Sequence, residues 1–360
     1  MSRLADLDTR LFRAEPSALA AVDLDDPAWR VAVLGALSKP APITTTEAIE
    51  LAVKDWWAEK LEAHAGDAKT SSQFSKFFGQ VGFLKKYKPY GIKFAAPFGY
   101  SIFLLQDGMG FSIQLHRVPK VEAFHILRAG TGSLVLLCGV DEWRAHREDL
   151  IRELEPGTSR HTSLTFEPEP GDVVVVDDIE LVHTVLGCIL EEYATTSNDA
   201  VERLFDQNLG VETVIPDDHP SLRALLAECG GVQPRSRLLK SASASAWTRS
   251  PLDSAAGSLV DMPEQGLRAD HLVLGSGESR PVSVDEDRVC TLTCLVGGAV
   301  VALPAGEVRL GPADTTAIAP GEHVSVQADV PGTRVAVCTV PRDMAFGDFR
   351  SSLAGRRTVA

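Results

Sequence analysis

Ser112-Ile-Gln114-Leu-His116-Arg-Val-Pro-Lys120-Val-Glu122 is the stretch on which the fold and the chemistry of this chain turn. Its polar residues alternate, Ser112, Gln114 and His116 before Arg117-Val118-Pro119, then Lys120 and Glu122 after it. Alternate residues of a β-strand share a face, so these groups belong together on one side of a sheet. The three residues Arg117-Val118-Pro119 suit a hairpin turn. A hairpin there sets His116 opposite Lys120 and Gln114 opposite Glu122, with Cβ atoms roughly 4.5–5.5 Å apart. An imidazole, a carboxylate, an amide, an ammonium and a hydroxyl on one buried face are costly unless charges pair or a metal holds them. The pattern reads as the floor of an active site.

Working outward, the same strand-like alternation runs on. Tyr100 to Gln106, Phe111 to His116, Val121 to Leu127 and Gly132 to Leu137 are short apolar runs parted by turn residues such as Asp107-Gly-Met-Gly110. A helix over Glu142 to Leu154 interrupts them, and strands resume at Ser163 to Phe166, Asp172 to Val176, Val182 to Leu186 and Ile189 to Tyr193. Regular strands of this kind predict a sandwich or barrel. Before residue 91 the pattern is helical: Thr44-Thr-Thr-Glu47 is a capping box opening a helix from Ala48 to Leu61, and a second piece covers Ser71 to Lys86. After the first strand block come a helix, Ser221 to Cys229, and a Ser241-Ala-Ser-Ala-Ser-Ala tract inside a Ser/Arg-rich stretch, predicted as a flexible connector. A second strand block follows, including Thr291 to Val296, Ala299 to Leu303, Gly306 to Leu310, Thr315 to Ile318 and Val335 to Val340, without any Gln/His/Glu cluster.

The bulk numbers bound the function. At 360 residues the chain is too long for one small core, so two domains are expected. A formal net charge of −14 argues against general nucleic-acid or anionic-membrane binding, because there is no basic excess to neutralise phosphates. No segment approaches the ~18–20 apolar residues of a membrane span, and Met1-Ser-Arg-Leu-Ala-Asp6 lacks a signal peptide's apolar core, so a cytoplasmic location is expected. The six scattered cysteines are expected as buried thiols in a reducing compartment.

A further ligand is needed from another strand. Asp172-Val-Val-Val-Val-Asp177-Asp-Ile-Glu-Leu-Val-His183 supplies it as a strand, an acidic turn and a returning strand that carries a histidine. Gln114, His116, Glu122 and His183 together offer two nitrogens and two oxygens, a set that suits Zn²⁺ or another divalent transition ion better than Ca²⁺ or Mg²⁺.

These motifs resemble the cupins, specifically the mannose-6-phosphate isomerase group. Ser112-Ile-Gln114-Leu-His116 is similar to that group's S-x-Q-x-H strand, and Lys120-Val-Glu122-Ala-Phe-His-Ile-Leu127 to its K-x-E-x-W-x-I-L strand. Pro170-Gly171-Asp172-Val with His183, and Glu192-Tyr-Ala-Thr195 followed by Asp199, Arg203 and Asp206, resemble two more of its motifs in the same order. Lys88-Pro-Tyr-Gly91 resembles its K-P-W-G opening. The resemblance covers about residues 88–208. It implies a mainly β chain of two cupin (jelly-roll β-barrel) domains behind an N-terminal helical segment. The boundaries expected are 1–90 for that segment, 91–210 for a metal-binding cupin, 211–260 for a helix and Ser/Ala-rich linker, 261–345 for a second cupin without metal ligands, and 346–360 for a tail.

Carried over, the resemblance makes Gln114, His116, Glu122 and His183 the metal ligands, with zinc first and iron or manganese as alternatives. It places Ser112 and Lys120 in the substrate pocket and Arg203 beside the reacting carbons, so that Lys120 and Arg203 are the catalytic candidates. The implied reaction is aldose–ketose isomerisation of a sugar phosphate or related hydroxy-carbonyl compound through an enediolate, with Lewis-acid help from the ion and fixed positive charge from Lys120 and Arg203. The expected partner is a small anionic or polyhydroxylated substrate, with neither nucleic acid nor membrane, and a homodimer among the expected assemblies. Two other functions compete. One is an Fe²⁺ cupin oxygenase, since two histidines and a carboxylate serve oxygen chemistry. The other is a non-catalytic sugar-binding or regulatory cupin, motivated by Asp178-Ile-Glu180, which stands where the family has P-x-G.

Overall fold

A computed structural model of the chain describes residues 84–341, leaving out 89–90, 97–98, 106, 117–119, 155–157, 159–163, 196–200, 206, 209–221, 253–257, 304–305 and 319. The helix expected over Ala48 to Leu61 therefore lies outside the described residues. The end of the second expected helix does not: Leu84–Lys88 is strand β1, paired antiparallel with β2 (Gly91–Ala95). That pairing overrides the weak helical pattern.

The first barrel continues with β3 (Tyr100–Leu105), β4 (Ile113–His116), β5 (Glu122–Gly139), helix α1 (Val140–Glu153), β6 (Thr165–Phe166), β7 (Asp172–Val176), β8 (Leu181–Ala194) and β9 (Val201–Phe205). Helix α2 (Leu222–Cys229), β10 (Ser236–Leu239) and β11 (Thr248–Pro251) follow. One sheet runs β1-β2-β3-β8-β5-β7-β10-β11, with β4 between β8 and β9 and with β6 on β5. The stretch expected to be a flexible connector is thus part of this sheet: β10 lies parallel to β7 and turns back through the Ser241–Ala246 tip into β11. Backbone pairing with β7 gives that polar segment the partners its composition does not advertise.

β5 and β8 are long because each passes through both walls of the barrel. They pair from Glu122 with Ala194 to Gly139 with Leu181, with register breaks around Ile126 and between Ala129 and Leu134. Residues 128–132 come to the surface at that corner. On β8 the corner is Gly187, at φ +63°, whose carbonyl accepts the Ser133 hydroxyl at 2.6 Å.

The second barrel is a sandwich of a five-stranded and a four-stranded sheet. The first runs β12 (Ser258–Met262), β13 (Leu267–Leu274), β20 (Thr333–Pro341), β15 (Arg288–Val296), β18 (Thr315–Ile318). The second runs β14 (Ser279–Ser283), β19 (His323–Ala328), β16 (Ala299–Leu303), β17 (Gly306–Leu310). Their inner faces meet through Leu274, Leu292, Val301, Val326, Val335 and Val337.

Strand parity then joins the barrels. On β20 the alternate residues Ala336, Cys338 and Val340 face away from that core and pack with Tyr100, Ile102, Ala123, Val173, Val175 and Tyr193 of the first barrel and Leu225 of α2. The intervening residues Phe103, Phe124, Ile126, Val174 and Val176 fill the first barrel's interior. Both faces of β3, β5, β7 and β8 are therefore buried, which is why these strands read as continuous apolar runs. The same parity sends Glu122 into the barrel and His125 toward the second barrel.

Candidate metal centre

Among the described residues, β4 and β5 do not pair with each other as the predicted hairpin requires. β4 pairs with β8 and β9, whereas β5 pairs with β6, β7 and β8, so β8 lies between the two halves of the opening stretch. A polar stripe specifies which residues share a face but not which strand lies alongside. The side chains nevertheless converge, because the sheet closes on itself. Glu122 and His183 lie far apart along the β5–β8 ladder, yet they meet across the barrel interior.

His116 Nε2 lies 3.3 Å from Glu122 Oε2, and His183 Nε2 lies 3.4 Å from the same oxygen. All three residues are buried, at 1% exposure each. Both rings are held from behind. Nδ1 of His116 lies 2.9 Å from the Lys120 carbonyl, and Nδ1 of His183 lies 3.1 Å from the Leu181 carbonyl. A carbonyl only accepts, so each Nδ1 carries the proton and each Nε2 turns a lone pair into the cluster. That is the tautomer and orientation a metal-ligating histidine needs. Donor atoms arranged tetrahedrally at about 2.0–2.1 Å from a zinc ion lie about 3.3–3.4 Å apart. The observed spacings have that value.

Electrostatics agree. Burial by itself would raise the Glu122 pKa, but the Lys120 ammonium on Oε1 outweighs it and holds the carboxyl well below the usual range. Burial pushes the His116 pKa down, against the pull of Glu122, so its ring stays neutral. Neutral imidazoles and an ionised carboxylate are the forms that bind a cation. The residues His116, Glu122 and His183 therefore fit a metal ion held between them.

The other predicted residues fall around this triad in distinct ways. Gln114 stands in register with His183 on β8, but its amide nitrogen, 3.4 Å from His183 Nε2, faces the cluster. Its oxygen accepts from the Ser112 hydroxyl at 3.3 Å. Gln114 becomes a ligand only with the amide turned over, in which case its NH2 donates to the Ser112 hydroxyl. Ser112 thus touches Gln114 and positions it. Lys120 is fully buried and spends its ammonium on Glu122. Arg203, exposed on β9, is the cross-strand partner of Gln114 and shares its face.

A second group of the same composition, His125, Glu191 and His271, was not anticipated. His125 is buried, with its ring against Glu191. The signal available was slight: Glu191-Glu192 interrupting the apolar run Cys188-Ile-Leu190, and His125 on the opposite parity to Glu122. Among the described residues, no group of three metal-ligating side chains lies wholly within the second barrel.

No protein-family profile matches the chain, and no curated protein matches its sequence. Solved structures do match. A provisionally assigned mannosephosphate isomerase from Archaeoglobus fulgidus shares 10% identity over 79% of this chain and 79% of that one, at a TM-score of 0.43. The mannose 6-phosphate isomerase of Bacillus subtilis shares 12% identity over 69% of this chain and 74% of its own, at 0.36. A cupin 2 conserved barrel domain protein from Leptotrichia buccalis shares 9% over 73% and 90%, at 0.33. Globulins of the 11S type match as well. All of these likenesses are at 12% identity or below and at TM-scores under 0.5. No helix of the described residues is long and apolar enough to cross a membrane.

Proposed function

We propose that the first barrel is a metal-dependent aldose–ketose isomerase of the mannose-6-phosphate isomerase type, acting on a sugar phosphate or a related hydroxy-carbonyl compound. The observation that carries this reading is the pair of backbone-anchored imidazoles, whose lone pairs stand at metal-ligand spacing from one buried carboxylate. When bound, a divalent ion supplies a Lewis acid that lowers the energy of an enediolate oxygen. Glu122 contributes negative charge to hold that ion, and Lys120 keeps Glu122 ionised. Ser112 sets the amide of Gln114. Arg203, exposed on the same face as Gln114, offers a cation to the anionic end of a substrate at the mouth. The substrate so described is small and anionic or polyhydroxylated.

The test is proton exchange. Zinc-loaded protein incubated in D₂O with a panel of aldose and ketose phosphates is expected to place deuterium at C2 of one of them. Tight binding without exchange across the panel would replace the isomerase with a sugar-binding module. One observation favours a second chemistry. With the Gln114 nitrogen turned inward, two histidines and one carboxylate remain, the ligand set of non-haem Fe²⁺ oxygenases. Retention of iron over zinc, with O₂ consumption, would mark that case.

A further inference from the structure

The second His–Glu–His group joins the two barrels. Glu191 on β8 and His125 on β5 come from the first barrel, and His271 on β13 comes from the second. Glu191 Oε2 lies 2.6 Å from His125 Nδ1 and 3.1 Å from His271 Nε2. Its Oε1 accepts the Tyr100 hydroxyl at 2.6 Å. The Tyr193 hydroxyl lies 3.0 Å from His271 Nε2. The other titratable or charged groups facing the cluster are Cys229 of α2, Asp270 of β13, and Arg334 and Cys338 of β20. The Arg334 guanidinium donates to the Val232 carbonyl at 2.8 Å, just beyond α2.

Two features separate this group from a metal centre. The 2.6 Å separation of His125 Nδ1 and Glu191 Oε2 is that of a hydrogen bond and is too short for two donors on one tetrahedral ion. The outer nitrogens, His125 Nε2 and His271 Nδ1, are buried and have no hydrogen-bond partner among the described residues. A metal-bound imidazole carries N–H on its outer nitrogen and needs an acceptor for it. Here protons do the holding: two imidazole N–H groups and a phenol donate to one carboxylate, and the outer nitrogens keep bare lone pairs.

We propose that this cluster is a proton-held latch that fastens the second barrel to the strands bearing the metal ligands, and that mild acid opens it. The geometry gives the reason. With Nδ1–H already committed to Glu191, a further proton on His125 must sit on Nε2. In the closed interface that N–H has no acceptor among the described residues, and Arg334 is already a nearby cation. Only opening to water satisfies it.

Burial holds the His125 pKa below its ordinary value, against the pull of Glu191, so the closed state keeps the ring neutral. In the opened state the ring titrates near ~6.5. The opened state therefore takes up more protons as pH falls below about 6.5, and the closed state loses stability in that range. The Glu191 carboxyl is held well below the usual range. Burial opposes this, and His271 and His125 overcome it, so Glu191 stays ionised throughout the window.

Cys338 reports the interface, because its Sγ lies 3.1 Å from the Gly99 carbonyl of the first barrel. The full chain is treated with 4,4′-dithiodipyridine, which labels thiols in acid, at pH 7.5 and 5.5, both chelated and zinc-loaded, and each cysteine is followed by mass spectrometry. Labelling of Cys338 in the wild type should accelerate about tenfold at pH 5.5, one unit below the free imidazole pKa. Cys294, inside the second barrel's own core, should not accelerate. His125→Asn keeps a donor near the Nδ1 position and removes the titration, so its Cys338 rate should stay flat. His125→Gln, which also removes the titration, is the second variant should the first not fold, and its Cys338 rate should likewise stay flat. Equal acceleration in wild type and variant, or none in the wild type, would overturn the proposal. So would a second zinc equivalent that His271→Ala removes. The chelated arm makes the outcome independent of the function assigned to the first cluster.

Discussion

Two buried carboxylates of the first barrel, Glu122 and Glu191, each sit between two imidazoles. Around Glu122 the Nε2 atoms stand 3.3 and 3.4 Å away, and each ring is pinned through Nδ1 to a backbone carbonyl. Around Glu191 the nitrogens stand at 2.6 and 3.1 Å, and the outer nitrogens point at nothing. Residue types do not distinguish the two groups. What differs is where each imidazole's remaining N–H can go. A ring whose outer N–H is already satisfied can give its lone pair to a cation. A ring whose outer nitrogen is orphaned can only donate inward.

The largest effect should come from removing a ligand. His183→Ala is expected to lose bound zinc and all deuterium exchange, while His271→Ala keeps the zinc. Metal analysis of both proteins checks this, and retention of zinc by the first would remove the distinction altogether.

Next in size is the loss of the first carboxylate's charge. Glu122→Gln in chelated protein leaves the buried Lys120 ammonium without its counter-ion. Stability in urea should fall by about 3–5 kcal/mol, the usual cost of breaking a buried pair from one side. A loss below about 1 kcal/mol would mean that Lys120 reaches water.

Tyr100→Phe removes one of the donors to Glu191 and should cost about 1–2 kcal/mol, with zinc content unchanged. If zinc binding falls in parallel, the two clusters are coupled through β5 and β8 rather than merely carried by them.

The smallest effect concerns the thiols. Burial pushes Cys138, Cys188 and Cys290 up to about 12. Iodoacetamide at pH 8 should leave all three unmodified in the folded protein and label them once it is unfolded.

Much of this was legible along the chain. The apolar runs at Asp172 to Val176 and Ala299 to Leu303 became strands with those bounds, because alternation and turn residues are local signals. Residues 121–127 and 132–137, expected as two strands, are one strand bent at a corner, as are 182–186 and 189–193. The glycines there looked like terminators and proved to be bends. Among the site residues, His116, Glu122 and His183 lie together in one buried group. Lys120 became the carboxylate's counter-ion and Ser112 the support of Gln114, because a shared face does not say which side chain a polar group will choose.

The sequence by itself determined the strands, the face on which each polar side chain sits, and the residue types available to a metal. Those follow from the period of two and the chemistry of single side chains. Only the tertiary structure decided that β8 separates β4 from β5, that barrel closure brings Glu122 to His183, and that His271 reaches across to Glu191. Such contacts join residues 61 to 80 positions apart by their numbering. No local pattern records a partner at that distance. Register, closure of the sheet and docking of two barrels are settled only when the whole buried surface is assembled.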